Sequence, residues 1–188
     1  NDSMEKLLTE MNCIMCGLCV SDCTVLEVDN SFIGPAALAK ASRFVYDPRD
    51  DKTSERLNYL NDESGGIWDC TRCMACVEVC PKGVAPMDRI MTIRDQIINA
   101  GIKNTNGARH AEGFASIVKR YGTLDETQLV IKTFGVLNPI VALKNIKALF
   151  GLLPVAYRAL RKNKLPPVFH HKIAGVSYIK NIFKKLGA

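Results

Sequence analysis

The stretch CIMCGLCVSDC at residues 13–23 decides the fold, together with its counterpart CTRCMACVEVC at residues 70–80. Each reads C-x2-C-x2-C-x3-C, and each cysteine of the second run lies 57 positions after its counterpart in the first. The chain contains no other cysteine. Two intervening residues let three thiolates of one tight loop reach three corners of a cube. The spacing is therefore typical of a cubic iron–sulfur cluster.

The fourth cysteine of each run is predicted to leave its own loop. In two-cluster ferredoxins with this spacing, the fourth thiolate binds the other cluster. The predicted ligands are Cys13, Cys16, Cys19 and Cys80 for cluster 1, and Cys70, Cys73, Cys76 and Cys23 for cluster 2. The sequence therefore predicts two 4Fe–4S clusters, which the crossed ligands hold close together.

Two other uses of cysteine compete with this prediction. Structural zinc sites use pairs of cysteines and need only four donors, so a third cysteine at the same short spacing in both runs is superfluous for zinc. Disulfide scaffolds are short and dense in cysteine, whereas here 8 of 188 residues are cysteine. Iron–sulfur clusters are favoured over both.

Charge is distributed unevenly along a chain whose composition, 47% hydrophobic and 23% charged, is typical of a folded protein. Residues 1–126 carry all 19 acidic residues and 14 Lys and Arg, whereas residues 127–188 carry 11 Lys and Arg and no acid. The basic tail is expected to face an anionic partner, a membrane surface or nucleic acid, or else to cover the acidic first part.

The expected compartment follows from the thiolates and from the start of the chain. Residues 1–12 contain four charged residues among few apolar ones, so no signal peptide is expected there. Thiolate-bound clusters require a reducing compartment. No run of 18 uncharged apolar residues is present, so no membrane span is expected. We predict a cytoplasmic location, or one at the cytoplasmic face of a membrane.

Helical patterns run along most of the chain, and strand signals are scarce. Helices are predicted from Pro35 through Val45 and over residues 53–60, 86–100, 109–121, 125–135, 140–153, 154–165 and 174–186. The first of these has an apolar stripe at helical spacing, formed by Ala37, Leu38, Ala41, Phe44 and Val45. Pro154 is expected to open a new helix, and Pro166-Pro167 to end it. The predicted fold is therefore all-α: an α-helical ferredoxin domain over residues 1–101, and a basic helical extension over residues 102–188 that docks a partner.

Residues outside the cysteine runs carry little readable chemistry. Trp68 is expected to cover the clusters as part of the core, and Arg72 to be a solvated surface arginine, although its charge could raise a cluster potential. His110, His170 and His171 have no ligand partners at metal-binding spacing. There is no nucleotide fingerprint and no readable nucleophile–base pair, so no catalytic residue is predicted.

Four blocks of sequence resemble the iron–sulfur subunits of succinate dehydrogenases and fumarate reductases. They are CIMCGLC at 13–19, FIGPAAL at 32–38, RFV with DPRD at 43–50, and CVEVCPKGVAP at 76–86. The resemblance covers residues 13 to about 100 and corresponds to the C-terminal α-helical ferredoxin domain of that family. It implies a non-catalytic electron-transfer subunit of an oxidoreductase complex, with a flavin-containing catalytic subunit as one partner.

Three departures from that family are evident. Its usual members carry a preceding plant-type 2Fe–2S domain, which these eight cysteines cannot also supply, so the chain is either a fragment or a stand-alone form fed by another subunit. They lack a cysteine at the position of Cys73 and hold a three-iron cluster, whereas Cys73 restores the fourth ligand. Thr24 stands where a proline often follows the first run.

Cys73 makes the chain similar also to an iron–sulfur subunit of heterodisulfide reductase. The implied second partner is then a quinone- or disulfide-handling redox subunit, related to the disulfide-handling subunit of heterodisulfide reductase, in an anaerobic respiratory complex. The tail is expected to pack on a partner subunit in the first place, and to contact an anionic bilayer peripherally in the second. A nucleic-acid-binding module and an oxygen-sensing regulator are the alternatives; we expect no nucleic-acid partner, because the tail spreads its lysines among apolar stretches.

Overall fold

The structure, a computed structural model, describes residues 2–164 and 172–186. Within these ranges the chain forms α-helices and one short 3-10 helix and contains no strand, which confirms the all-α prediction. The helices are α1 Asp2–Met11, α2 Leu18–Ser21, α3 Thr24–Val28, α4 Pro35–Val45, α5 Thr53–Leu60, α6 Ala75–Glu78, α7 Pro86–Asn99, α8 Asn106–Tyr121, α9 Glu126–Thr133, α10 Pro139–Lys144, α11 Ile146–Arg161 and α12 Val176–Lys185, with the 3-10 helix at Ile67–Asp69. The predicted helix end at Pro166-Pro167 and the histidines His170 and His171 lie outside the described residues.

The chain divides into two compact units, residues 1–108 and residues 109–188. In the first unit α4 packs most extensively against α7. Both helices begin with a proline at the first helical position, Pro35 and Pro86, where the missing N–H costs no hydrogen bond. The core of the unit is formed by Phe32, Leu38, Val45, Leu57, Leu60, Ile67, Ile90, Ile93 and Ile97.

The buried face of α4 differs from the predicted apolar stripe. Leu38, Ala39 and Val45 are buried as an amphipathic helix requires, but Phe44 is exposed. The guanidinium of Arg56 lies 5.1 Å from the centroid of the Phe44 ring, so a cation–π contact takes the place of core burial. Ser42 enters the core instead, donating its hydroxyl to the buried Glu10 carboxylate at 2.7 Å.

A buried polar network fixes the segment that leads into the second cysteine run. The Asn61 side-chain oxygen accepts hydrogen bonds from Trp68 Nε1 at 2.5 Å and from Thr105 Oγ1 at 2.9 Å. Asn61 also donates to Asn104 Oδ1 at 2.6 Å. Buried amides keep their stability only when they are bonded in this way, so the network ties Trp68 to the start of α8 within the first unit.

The second unit begins its helices with the predicted caps. Asp125 accepts from the backbone N–H of Gln128 at 3.0 Å and from its side-chain amide at 2.7 Å, and Asn138 accepts from the N–H of Ile140 at 3.1 Å. Pro154, however, does not open a helix: it lies inside α11. The break falls at Asn145, whose side chain donates to the carbonyl of Phe134 at 3.2 Å. Over the described ranges, none of the helices has the length and apolar character needed to cross a membrane.

Candidate metal centre

The two cysteine runs adopt the same backbone conformation at equivalent positions. Met15 and Gly17 have φ of 57° and 81°, and their counterparts Arg72 and Met74 have φ of 60° and 70°. Gly17 and Met74 then cap the short helices α2 and α6. Left-handed φ is uncommon for residues other than glycine. The repeated pair of positive φ angles therefore shows that the two loops follow the same backbone path. We call each of these loops, residues 13–19 and 70–76, a wrap.

The wrap of the first run faces the end of the second. Cys13, Cys16, Cys19 and Cys80 line one cavity of about 530 Å³ in the first unit. The cavity is also lined by apolar residues of the loop, among them Ile14 and Leu18. Three thiols of one loop and a fourth from the other run thus line one cavity.

The second quartet shares a separate and smaller space. Cys23, Cys70, Cys73 and Cys76 line a cavity of about 20 Å³ together with the core residues Phe32 and Ile90. All eight cysteines are free thiols. Thiolates are the donors that hold iron–sulfur clusters, and four at each cavity match the number that a 4Fe–4S cluster takes. The donor set fits two such clusters. Within residues 2–164 and 172–186, no three His, Cys, Asp or Glu side chains meet at a point for a single metal ion.

Burial makes the anionic form of two of these thiols costly. The pKa of Cys76 is raised to about 11, mainly by burial and then by the neighbouring Cys70. Burial also raises the pKa of Cys19, followed by the effect of Cys13. Cys19 contributes to raising the pKa of Cys76, so the two quartets are close neighbours. Thiolates in such surroundings need a positive counterpart, which bound iron supplies.

Hydrogen-bond donors are directed at several of the sulfurs. The backbone N–H of Val84 donates to Cys80 Sγ at 3.4 Å, and the N–H of Met87, in the first turn of α7, lowers the pKa of Cys76 by a hydrogen bond. Donors of this kind to cluster sulfurs are one of the factors that set a cluster's reduction potential.

The cysteine pattern gave no sign of one buried residue, Arg94. It is 6% exposed and donates to the carbonyl of Ile67 through Nε at 3.2 Å and through Nη2 at 2.7 Å, and from Nη2 to the carbonyl of Cys70 at 2.8 Å. Its guanidinium also lies 5.0 Å from the centroid of the Trp68 ring. Arg94 therefore holds the backbone of a cysteine of the second quartet and brings a positive charge close to it. Only the unusual arginine on the apolar face of α7 could have indicated this role.

The other residues singled out by sequence take peripheral positions. Arg72 is exposed, as a solvated surface arginine would be. Trp68 is half-buried beside Arg94 and contributes to the core of the first unit. His110 belongs to the second unit, where its Nδ1 lies 3.1 Å from Thr133 Oγ1. Met15, in the loop of the first run, is 78% exposed, so that loop forms an apolar rim at the mouth of the larger cavity.

The sequence of the cysteine-bearing part matches a known class of domain. The matching family model is that of the 4Fe–4S dicluster domain, over residues 11–84. This range contains both wraps and all eight cysteines. The match therefore covers the whole cysteine-bearing part of the chain.

The relatives are iron–sulfur subunits of oxidoreductases. The chain is 26% identical over 176 residues to the 8-methylmenaquinol:fumarate reductase iron-sulfur subunit of Wolinella succinogenes, covering 93% of this chain and 52% of that protein. It is 46% identical over 83 residues to the fumarate reductase iron-sulfur subunit of Escherichia coli O6:H1, covering 44% and 34%. It is 39% identical over 90 residues to the mitochondrial succinate dehydrogenase [ubiquinone] iron-sulfur subunit 1 of Oryza sativa subsp. japonica, covering 47% and 32%.

The resemblance predicted from the sequence is therefore confirmed: residues 11–84 match the 4Fe–4S dicluster domain, and the chain is similar to iron–sulfur subunits of fumarate reductases and succinate dehydrogenases. It spans about half the length of the first of these relatives and about a third of the other two.

Proposed function

We propose that this chain is an electron-transfer subunit with two 4Fe–4S clusters. Cluster 1 is held by Cys13, Cys16, Cys19 and Cys80, and cluster 2 by Cys70, Cys73, Cys76 and Cys23. The observation that carries the proposal is the crossed arrangement of thiols around two neighbouring cavities, each lined by three cysteines of one run and one of the other. The clusters, when bound, supply one-electron redox chemistry, and the protein supplies position and electrostatics.

The work of the chain in this function is to hold and surround the clusters. In each loop, two residues with positive φ turn the backbone toward the cavity. The backbone N–H groups of Val84 and Met87 donate to ligand sulfurs. Arg94 holds the carbonyl of Cys70 by a hydrogen bond. The core of the first unit, with Phe32 and Ile90, closes off the smaller cavity. The larger cavity keeps an exposed apolar rim, which suits contact with a redox partner.

The proposed partners are a flavin-containing catalytic subunit and a second redox subunit that handles a quinone. This assignment extends what the names of the relatives state, as subunits of fumarate reductases and succinate dehydrogenases. We propose a cytoplasmic location, or one at the cytoplasmic face of a membrane, since thiolate-bound clusters require reducing conditions. The cluster-binding domain is proposed to end near residue 101.

A protein of heterodisulfide reductase type, working in anaerobic respiration with a disulfide-handling subunit, is the second candidate. Cys73 favours it, because this thiol completes the second quartet, whereas the resemblance to succinate dehydrogenase and fumarate reductase subunits implies no cysteine at this position. Both candidates share the two clusters and differ in the partner that receives electrons.

The basic extension, residues 102–188, is proposed to dock a partner subunit, with peripheral contact to an anionic bilayer as the second choice. On α11 the apolar residues recur at helical spacing and form a stripe, which consists of Ile146, Leu149, Phe150, Leu153, Tyr157 and Leu160. Most of this stripe is exposed, including Phe150 at 63% and Leu153 at 57%. Lys147, Arg158 and Arg161 flank it on one side, so an acidic and apolar surface would complement it.

Two measurements test the proposed function. Anaerobically purified full-length chain should be brown and should contain about eight iron and about eight acid-labile sulfide per chain, as two 4Fe–4S clusters require. A colourless, zinc-containing protein would overturn the proposal. Mass spectrometry of proteins that copurify with the tagged chain should identify a flavoprotein, and the second redox subunit should separate the quinone candidate from the disulfide candidate.

A further inference from the structure

The residue that follows the first cysteine run, Thr24, is in contact with the second cysteine of the other run, Cys73. Thr24 Oγ1 lies 3.6 Å from Cys73 Sγ and donates a hydrogen bond to it across 49 positions of sequence. Cys73 belongs to the second quartet, whereas Thr24 is not a predicted ligand of either quartet. The hydroxyl therefore contacts the quartet from outside the ligand set.

The backbone around Thr24 fixes its hydroxyl relative to the second quartet. Thr24 is the first residue of α3 and follows Cys23, which caps that helix and belongs to the same quartet as Cys73. A threonine side chain has few χ1 rotamers, so a backbone anchored by a neighbouring ligand leaves the hydroxyl little freedom. The donor is thus pre-oriented toward the sulfur.

Cys73 is the most exposed member of its quartet. It is exposed, whereas Cys76 is buried and Cys23 and Cys70 are half-buried. The protein therefore encloses this corner of the site least. The N–H of Ala75 and the side chain of Thr71 also donate hydrogen bonds to this sulfur. Hydrogen-bond donors, and not burial, therefore hold the sulfur at the open corner.

We propose that Thr24 is a positioning residue for the fourth corner of cluster 2. Its hydroxyl holds the Cys73 sulfur in place as a ligand and raises the reduction potential of that cluster, because a donor to a ligand sulfur stabilises the more negative, reduced state. The inference rests on the proposed two-cluster function. It adds a role for a residue that is not itself a ligand.

The test uses full-length chain purified without air, with Thr24→Val to remove the hydroxyl at nearly constant shape and Thr24→Ser to keep it. Midpoint potentials of both clusters are measured by EPR-monitored redox titration. We expect Thr24→Val to shift the potential of cluster 2 to a more negative value and Thr24→Ser to stay close to the parent chain. Cluster 1 is the internal control, and its potential should not move in either variant.

A second readout reports the hold on the fourth iron. During timed treatment with ferricyanide, each cluster that converts gives up one Fe²⁺ to solution and one electron to the oxidant, leaving a three-iron centre with its own EPR signal. We expect this signal to grow several-fold faster in Thr24→Val than in Thr24→Ser. Thr24→Pro, which α3 accepts at its first position, should behave like Thr24→Val and provides a second variant without the hydroxyl.

Three outcomes would overturn the inference. Equal potentials and equal conversion rates in the Val and Ser variants would show that the hydroxyl has no effect on the cluster. A shift of both clusters by the same amount would indicate a general structural change. If the parent chain itself holds no 4Fe–4S cluster at the second quartet, the two-cluster function fails along with the inference, and iron analysis of that chain separates this case from the other two.

Discussion

Replacing Arg94 with methionine should destabilise the cluster-loaded first unit more than any surface charge change near the clusters. Methionine keeps the length of the aliphatic stem, so the substitution removes the guanidinium while largely preserving packing. Three hydrogen bonds to backbone carbonyls are lost, two to Ile67 and one to Cys70, together with a longer one from Nη1 to Met91 Sδ at 3.9 Å. The loop that ends at Cys70, the first cysteine of the second run, then loses the hydrogen bonds that this side chain makes to it from α7.

The expected cost is about 3 kcal/mol. A buried guanidinium carries its own desolvation penalty, and the pKa of Arg94 is lowered mainly by that burial, so the loss of its bonds and the relief of the penalty largely offset each other. What remains is the cost of leaving the carbonyl of the buried Ile67 and that of the half-buried Cys70 without these donors, roughly 1–3 kcal/mol each. If most of this appears in the unfolding rate, the variant should unfold about 100-fold faster.

The assay follows the loss of visible cluster absorption and of far-UV circular dichroism in guanidinium chloride under argon. A rate is measured because a protein with tightly bound cofactors does not unfold as a two-state equilibrium. Arg72→Met is the matched control, since Arg72 is exposed and adjacent to Cys73, and it should stay within about threefold of the parent rate. An Arg94→Met rate that is also within threefold would refute the structural role assigned to this guanidinium.

Three other changes have defined outcomes. Cys73→Ser should convert cluster 2 to a three-iron centre or remove it while leaving cluster 1 intact, and Cys16→Ser should have the reverse effect; unchanged EPR signals from both clusters would contradict the ligand sets. Asp125→Ala should destabilise the second unit by about 2 kcal/mol, because this buried side chain caps α9. In thermal melts, Asp125→Asn should recover most of that loss. Equal melting temperatures of the Ala variant and the parent would contradict the capping role. Leu153→Asp, on the apolar stripe of α11, should reduce partner copurification at least tenfold without altering the clusters. Val155→Asp, at an exposed position off the stripe, should have little effect. If Leu153→Asp instead abolishes binding to anionic vesicles, the stripe contacts a bilayer and not a partner subunit.

Most helices of the first unit could be predicted because local signals and tertiary packing agree there. The predicted helix over residues 53–60 coincides with α5, and Pro35 and Pro86 begin α4 and α7 as their position before an apolar stripe indicated. In these segments the fixed φ of proline and the helical spacing of apolar residues favour the same structure. The sequence alone was therefore sufficient for the architecture around the cysteines.

Two errors arose where a local rule competed with packing. Pro154 was predicted to begin a helix, but α11 runs through it, and the chain breaks at Asn145, whose amide finds a partner in the Phe134 carbonyl. Phe44 was assigned to the apolar stripe from its spacing, but Arg56 offers its ring a cation at the surface. The helical spacing of apolar residues predicts neither contact. Phe134 lies 11 residues from Asn145, and Arg56 lies 12 residues from Phe44.

The residues that adjust the candidate site were harder to find than its ligands. The eight cysteines could be identified as candidate ligands from their spacing, since each run is short and continuous in sequence. Arg94 reaches the carbonyl of Cys70 across 24 positions, and Thr24 reaches Cys73 across 49. Contacts of this length depend on how α3 and α7 pack, which no single-sequence pattern specifies. The ligand sets could be proposed from sequence, whereas their hydrogen-bonding partners required the structure.

The residues with positive φ in the two cysteine loops indicate why cysteine spacing alone could predict the candidate metal centre. Equivalent positions hold Gly17 in one run and Met74 in the other, yet both have positive φ, and Met15 and Arg72 repeat this without any glycine. Three residues with side chains in this conformation cost roughly 3–6 kcal/mol, comparable with the whole stability of many domains. Such strain persists only where the surroundings impose it. Bonds between thiolates and iron can do so, because metal binding contributes directly to the folding free energy. The conformation of each loop is then set by the iron–sulfur cluster that its cysteines bind, and hardly at all by the residues between those cysteines.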